Sequence, residues 1–152
     1  MIEFKKSSTV LIFNNKGELA LQFRAHNDNS FPSHWDFSAS GGINPEEDYN
    51  SAAKRELKEE LGIDTDVRFI CEEHYIYPAW NPSNTRDVKV FFFEAFHNGP
   101  FYPDPEEVEK VQSFKLETIK QMMESGQKFH PEFILAWNKG IISEAREALI
   151  YP

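Results

Sequence analysis

One cysteine, Cys71, stands in 152 residues. It cannot close an internal disulfide and belongs to no CxxC pair, so the disulfide framework of a small secreted domain is excluded and a reduced, cytoplasmic location is the default. Long apolar runs are missing as well. No stretch approaches the roughly 18 apolar residues needed to cross a bilayer, and Met1-Ile2-Glu3-Phe4-Lys5-Lys6 lacks the basic-then-apolar layout of a signal peptide. Positive charge is scarce: 16 Lys and Arg against 25 Asp and Glu leave a formal net charge of −9. That argues against a nucleic-acid surface, which needs Lys and Arg patches. It leaves room for a small phosphorylated substrate, provided a divalent cation sits between it and the acids. His26, His34, His74, His97 and His130 show no metal-ligand spacing such as HExxH and read as surface or structural residues. There is no zinc pattern, no phosphate-cradling glycine loop and no GxSxG elbow around Ser38 or Ser40.

What remains is the composition of one compact domain spanning 1–152, with 40% hydrophobic residues and 14 Phe, most of which belong in a core. Thr9 to Phe13 is a β-branched and aromatic run, followed by the turn Asn14-Asn15-Lys16-Gly17. Glu18 to Arg24 alternates as a half-buried strand does. Ala25 to His34 is a polar loop, and Trp35 to Ser40 reads as extended, ended by Gly41-Gly42. A helix is predicted from about Asp48 to Leu61, capped by Asn44 or Asp48 and stopped by Gly62. Val67 to Tyr77 and Val88 to His97 are β-rich around a loop, Pro78 to Asp87. Asn98 to Glu109, with three prolines and clustered acids, reads as loop. Two helices are predicted to follow, around Leu116 to Ser125 and Pro131 to Leu149. The pattern is α/β or α+β, a mixed sheet with helices packed on it.

The predicted helix carries charge on an unexpected side. At about 100° per residue, Tyr49, Ala53, Leu57 and Leu61 form an apolar stripe; Glu56 and Glu60 fall within it and Glu59 just beside it. Lys54 and Lys58 lie opposite. Like charges at i,i+4 cost an exposed helix about 0.2–0.5 kcal/mol, and more once buried. The alternative is an ordinary solvated charged face. Oxygen ligands gathered on one face suit Mg²⁺, which keeps waters and bridges to substrate phosphates.

Written out, the segment is Gly41-x5-Glu47-x7-Arg55-Glu56-Leu57-x-Glu59-Glu60-x-Gly62-Ile63. It resembles the Nudix box at every defined position. The early strand pair, the aromatic-and-glycine approach Trp35 to Gly42 and the acidic stretch Pro103 to Leu116 extend the likeness over nearly the whole chain. The resemblance implies an α/β/α sandwich around a central mixed β-sheet, with the box as loop–helix–loop. It also implies a hydrolase that cuts a diphosphate linkage in a nucleoside diphosphate joined to another moiety, or in a similar small organic diphosphate. Glu56, Glu59 and Glu60 would then hold Mg²⁺ or Mn²⁺, with the Gly41 carbonyl. Arg55 would orient the acids through Glu47, and Gly62 would end the helix. The general base stays open between Glu59 or Glu60 and Glu107 of the later loop. Family members often dimerise, so a homodimer is a further expectation, with no membrane or nucleic-acid partner.

Phe31 to Gly41 also resembles the isopentenyl diphosphate isomerase-like branch. That isomerase uses a cysteine just before the glycine and a histidine just after it, where Ser40 and Gly42 stand here, and its later catalytic Glu falls near Asp87. A hydroxyl is a much weaker acid than a thiol, so hydrolysis is favoured. A third reading is a Nudix-fold binding module without turnover, which would not need three gathered carboxylates. On the substrate side, Arg24 and Arg86 could meet phosphate, though Arg24 could equally serve an ion pair. Trp35, Phe37, Tyr77 and Trp80 could stack on a base or belong to the core.

Overall fold

The computed structural model describes residues 1–150. Its elements are β1 (Ile2–Phe13), β2 (Leu19–Arg24), β3 (Trp35–Asp36), β4 (Ala39–Gly42), α1 (Tyr49–Leu61), β5 (Arg68–Pro78), β6 (Thr85–Phe96), β7 (Val108–Phe114), α2 (Leu116–Glu124), α3 (Pro131–Lys139) and α4 (Ile141–Ile150). One mixed sheet runs β3-β2-β1-β6-β5, with β4 on β1 and β7 on β2. The β1–β6 pair is parallel along its whole length, from Ile2 opposite Thr85 to Phe13 opposite Phe96; the other pairs are antiparallel.

Because successive strand residues point to opposite faces, β1 feeds two cores. Val10 and Ile12 pack with Ala39, Phe93 and the α1 residues Ala53, Leu57 and Leu61. Leu11 and Phe13 pack on the other face with Leu19, Leu21 and Phe92, beneath Ile119 of α2, Phe133 of α3 and Ile142 of α4. The result is the predicted helix–sheet–helix layering, with α1 alone on one side.

Several boundaries differ from the sequence reading. β1 starts at Ile2, well before Thr9, because β6 templates a segment whose own residues are mostly exposed. The stretch read as loop up to Glu109 gives way to strand β7 at Val108. Val108 is its one fully buried residue, and an edge strand of this kind carries little alternating signal. The single helix predicted over Pro131 to Leu149 is two. Gly140 adopts the left-handed conformation (φ 84°), ends α3 by a hydrogen bond back to Ala136, and lets α4 leave in a new direction. β5 and β6 extend to Pro78 and start at Thr85, shortening the loop between them.

Candidate active site

Helix α1 is fixed at both ends. Asp48, rather than Asn44, is the cap: its carboxylate accepts from the Ser51 amide at 2.7 Å. Gly62 closes the helix at φ 65°, and a Cβ there would stand 2.9 Å from Tyr102 Cβ. The chain after β6 is tied to this end, since the amides of Tyr102 and Asp104 donate to the carbonyls of Leu61 (2.8 Å) and Glu60 (3.1 Å). That pair of bonds brings the loop of Glu107 alongside α1.

The unexpected placement of the α1 acids is real. Glu56 and Glu60 are buried, at 8% and 9% exposure, whereas Glu59 is exposed. Glu60 Oε1 accepts from the Ser40 amide (2.9 Å) and from Gln22 Nε2 (3.2 Å). Burial still pushes its carboxyl well above the usual range. Glu56 is pushed up by burial against the opposing pull of Arg55, with Glu59 and Glu107 adding repulsion. Glu107 is raised by burial, then by Asp104 and Glu59. Glu107, on the loop tied to the end of α1, thus stands near enough to Glu56 and Glu59 for their charges to oppose one another.

Arg55 organises these acids. Its Nε and Nη2 donate to the two oxygens of Glu47, both at 2.8 Å, and Nη2 also donates to the Gly42 carbonyl at 2.8 Å. Its Nη1 bridges Glu56 (2.7 Å) and Glu59 (3.2 Å). These partners, Glu47 first, raise the guanidinium above its already high ordinary value, so it is a permanent cation. Gly41 completes the arrangement by close approach: a Cβ at this position would lie 2.2 Å from the Glu56 carboxyl carbon. Only a glycine leaves that carboxylate its place.

Among the described residues no group of three or more His, Cys, Asp or Glu side chains is placed, as the side chains stand, to hold a metal ion. The donor set nonetheless fits a hard divalent cation of the Mg²⁺ or Mn²⁺ kind. Burial and neighbouring acids disfavour charge on Glu56, Glu60 and Glu107, and one positive group, Arg55 Nη1, already bridges Glu56 and Glu59. A cation that retains waters and shares substrate oxygens needs no closed protein cage.

Beside Gly41 and Gly42 opens a cavity of about 240 Å³ on the sheet face opposite α1, lined also by Arg24, Arg86, His130 and Glu132. Both arginines singled out by sequence therefore reach it. Arg24 is heavily committed, donating to Asp36 (2.9 Å) and twice to the Ser30 carbonyl (3.0 and 2.8 Å), with Asp28 at 3.3 Å. Arg86 faces Glu3 at 3.6 Å, and its Nε is buried without a hydrogen-bond partner. Trp35 and Phe37 are not at this cavity. Trp35 donates from Nε1 to Gln127 (2.9 Å), and Phe37 packs between Phe92 and Phe133. The core had first claim on large rings in and beside β3. Tyr77 is buried too, its hydroxyl donating to Glu132.

His130 and Glu132 were not singled out as site residues from the sequence. Flanking Pro131, they look like the routine polar opening of a helix, and only the docking of α3 onto β5 and β6 brings them to the cavity.

A family model described as "NUDIX domain" matches residues 3–136. An uncharacterized Nudix hydrolase of Listeria innocua is 32% identical over 137 residues, covering 83% of this chain and 72% of the relative. Among solved structures, the MutT protein from Methanosarcina mazei superposes with a TM-score of 0.73 at 20% identity, covering 98% of this chain and 96% of that one. The NUDIX domain of Shewanella oneidensis NrtR, solved with ADP ribose, superposes at 0.71 with 14% identity, covering 97% and 89%. Likeness at such identities speaks to the fold, and it is the fold described above.

Proposed function

Because the chain belongs to the Nudix hydrolase family, and so is a pyrophosphohydrolase, we propose that it cuts the P–O–P linkage of a small organic diphosphate. The substrate class is a nucleoside diphosphate joined to another moiety, or a diphosphate of similar size. The observation that carries this reading is the buried acid cluster of Glu56 and Glu60 with Glu59 and Glu107 beside it, seated against a glycine that leaves room for a carboxylate.

Glu56, Glu59 and Glu60 would hold Mg²⁺ or Mn²⁺, which when bound neutralises the diphosphate and acidifies the attacking water. The protein's own residues do the positioning. Gln22 and the Ser40 amide fix Glu60 Oε1, so this carboxylate presents one defined oxygen to the cleft. Arg55 stays anchored to Glu47 through Nε and Nη2, which leaves Nη1 to steady Glu56 and Glu59. Glu107, raised first by burial and then by Asp104 and Glu59, sits on the loop tied to the end of α1, and we assign it the role of accepting a proton from water ahead of Glu59 and Glu60. The whole chain, on this reading, is one hydrolase domain.

The isomerase reading loses support at the positions that define it. The Ser40 amide holds Glu60, the Gly42 carbonyl holds Arg55, and Asp87 bonds His74 at 2.5 Å, bordering a different depression from the cavity beside Gly41. A phosphate-release screen over a diphosphate panel with Mg²⁺ or Mn²⁺, run beside Glu60→Gln, tests the proposal. Turnover that disappears in the variant supports it. Undiminished turnover in Glu60→Gln, or isomerisation of isopentenyl diphosphate in place of hydrolysis, overturns it.

A further inference from the structure

The cavity beside Gly41 holds polar groups that the hydrolytic cluster does not use. Arg86 offers a buried Nε–H without a partner. Glu132 is 7% exposed; its Oε2 accepts from Tyr77, and its other oxygen has no hydrogen-bond partner among the described residues. His130 is 5% exposed, and its Nδ1 accepts from the Glu132 amide at 3.1 Å, which fixes the tautomer and leaves Nε2–H as the ring's donor. Burial keeps this imidazole neutral, down at about 4, so it does not compete as a cation. Of these, Arg86 Nε is the buried and unpaired one, costly unless a ligand or water meets it, while His130 and Glu132 line the cavity beside it.

Their chemistry narrows the ligand. Two donors beside a carboxyl group match neighbouring hydroxyls, each of which can accept one hydrogen bond and donate another. A second anionic group would meet Arg86 but also Glu132 and Asp36. An isoprenoid or alkyl tail would leave all the polar groups unmet. Size points the same way: about 240 Å³ is below the roughly 300–1,000 Å³ of pockets that take drug-sized ligands. It suits a single ring rather than a base with its sugar.

We propose that Arg86, His130 and Glu132 form a subsite for a vicinal-diol, sugar-like group attached to the diphosphate, and so select glycosyl- or pentosyl-type diphosphates over deoxygenated and alkyl ones. This rests on the hydrolase reading for the orientation of the diphosphate, but it can be tested without turnover. Ribose 5-phosphate and 2-deoxyribose 5-phosphate, neither containing a P–O–P bond, are titrated into the full chain while the His130 ring resonances are followed by NMR. Arg86→Met and His130→Asn are measured in parallel. The Asn retains a capping oxygen for the helix while removing Nε2–H.

The expected result is ribose 5-phosphate binding about tenfold or more tightly than the deoxy sugar, with the His130 signals shifting and the preference lost in both variants. Equal binding of the two sugars, a preference that survives both substitutions, or no binding of either overturns the subsite. If that happens while a diphosphate is still hydrolysed in a Glu60-dependent way, the hydrolase reading stands without it. Diol selectivity persisting in a protein that hydrolyses no diphosphate would instead remove the hydrolase reading and keep the subsite.

Discussion

Gly41 and Glu56 show how closely one side chain's position depends on another's absence. A methyl group at 41 would overlap the Glu56 carboxyl group. The far end of that side chain can swing away while the backbone stays in place. Gly41→Ala is therefore expected to fold, with a melting temperature close to wild type, yet to lose on the order of 100-fold in kcat, the size of loss that a displacement of about 1 Å produces. A melting curve and a kinetic assay on the same sample check this; collapse of the fold would show that Gly41 serves β4 more than the site. Glu132 permits a cleaner test of burial. Its carboxyl is pushed up to about 7 by burial, from 4.5. Between those values the folded protein holds a proton that the unfolded chain has lost, so stability is fully present below about 4.5 and declines as pH rises through 7. Glu132→Gln cannot ionise and escapes that decline. The variant should match wild type near pH 4.5 and exceed it by up to about 3 kcal/mol at pH 8, read from denaturant melts at both pH values. His130, held down at about 4 by burial, loses stability as pH falls below 6.5, but it does so in both proteins and cancels. A difference independent of pH would mean that Glu132 is ionised in the fold.

The two ends of α1 carry different loads. Asp48 caps a solvent-facing turn, whereas Gly62 also makes room for Tyr102, whose amide and that of Asp104 lead the chain toward Glu107. Asp48→Ala should cost about 1 kcal/mol with kcat unchanged. Gly62→Ala should cost about 1 kcal/mol for the left-handed backbone, somewhat more for the Tyr102 contact, and should lower kcat as the Glu107 loop shifts. Equal kcat in the two variants would detach that loop from the chemistry. The same segments show what a sequence can and cannot reveal. Helix α1 was legible because its period, its glycine stop and its fixed acid spacing are local properties. The burial of Glu56 and Glu60 followed from the angle at which they sit. Strand β7 was not legible, because an edge strand with one buried residue owes its form to β2 rather than to its own alternation. The break at Gly140 was hidden by apolar periodicity that continues across it. Trp35 and Phe37 could not be told apart from ligand-facing rings, and His130 and Glu132 could not be told apart from an ordinary helix start, since both distinctions depend on what packs opposite.

Electrostatics ties these local features together. A chain of net charge −9 concentrates repulsion among Glu56, Glu59, Glu60 and Glu107, where Arg55 is divided among Glu47, Glu56 and Glu59. On the proposed reading a divalent cation would relieve this repulsion, which the unfolded chain, with its acids dispersed, does not share. Preferential binding to the folded form must then appear as stabilisation. At a metal concentration about 100 times the dissociation constant the gain is about 2.7 kcal/mol, which for a chain of this length raises the melting temperature by roughly 5–10 °C. Chelation should return the protein to its lower melting temperature without unfolding it, because both hydrophobic cores are built from apolar side chains that need no metal. Glu56→Gln removes a proposed ligand together with part of the repulsion. It should melt at or above the metal-free wild type and gain little from Mg²⁺ or Mn²⁺. A thermal-shift titration of the two proteins decides the matter: a full metal-induced rise retained in Glu56→Gln would place the cation elsewhere, and no rise in wild type would mean that the carboxylates need substrate phosphate before they bind metal.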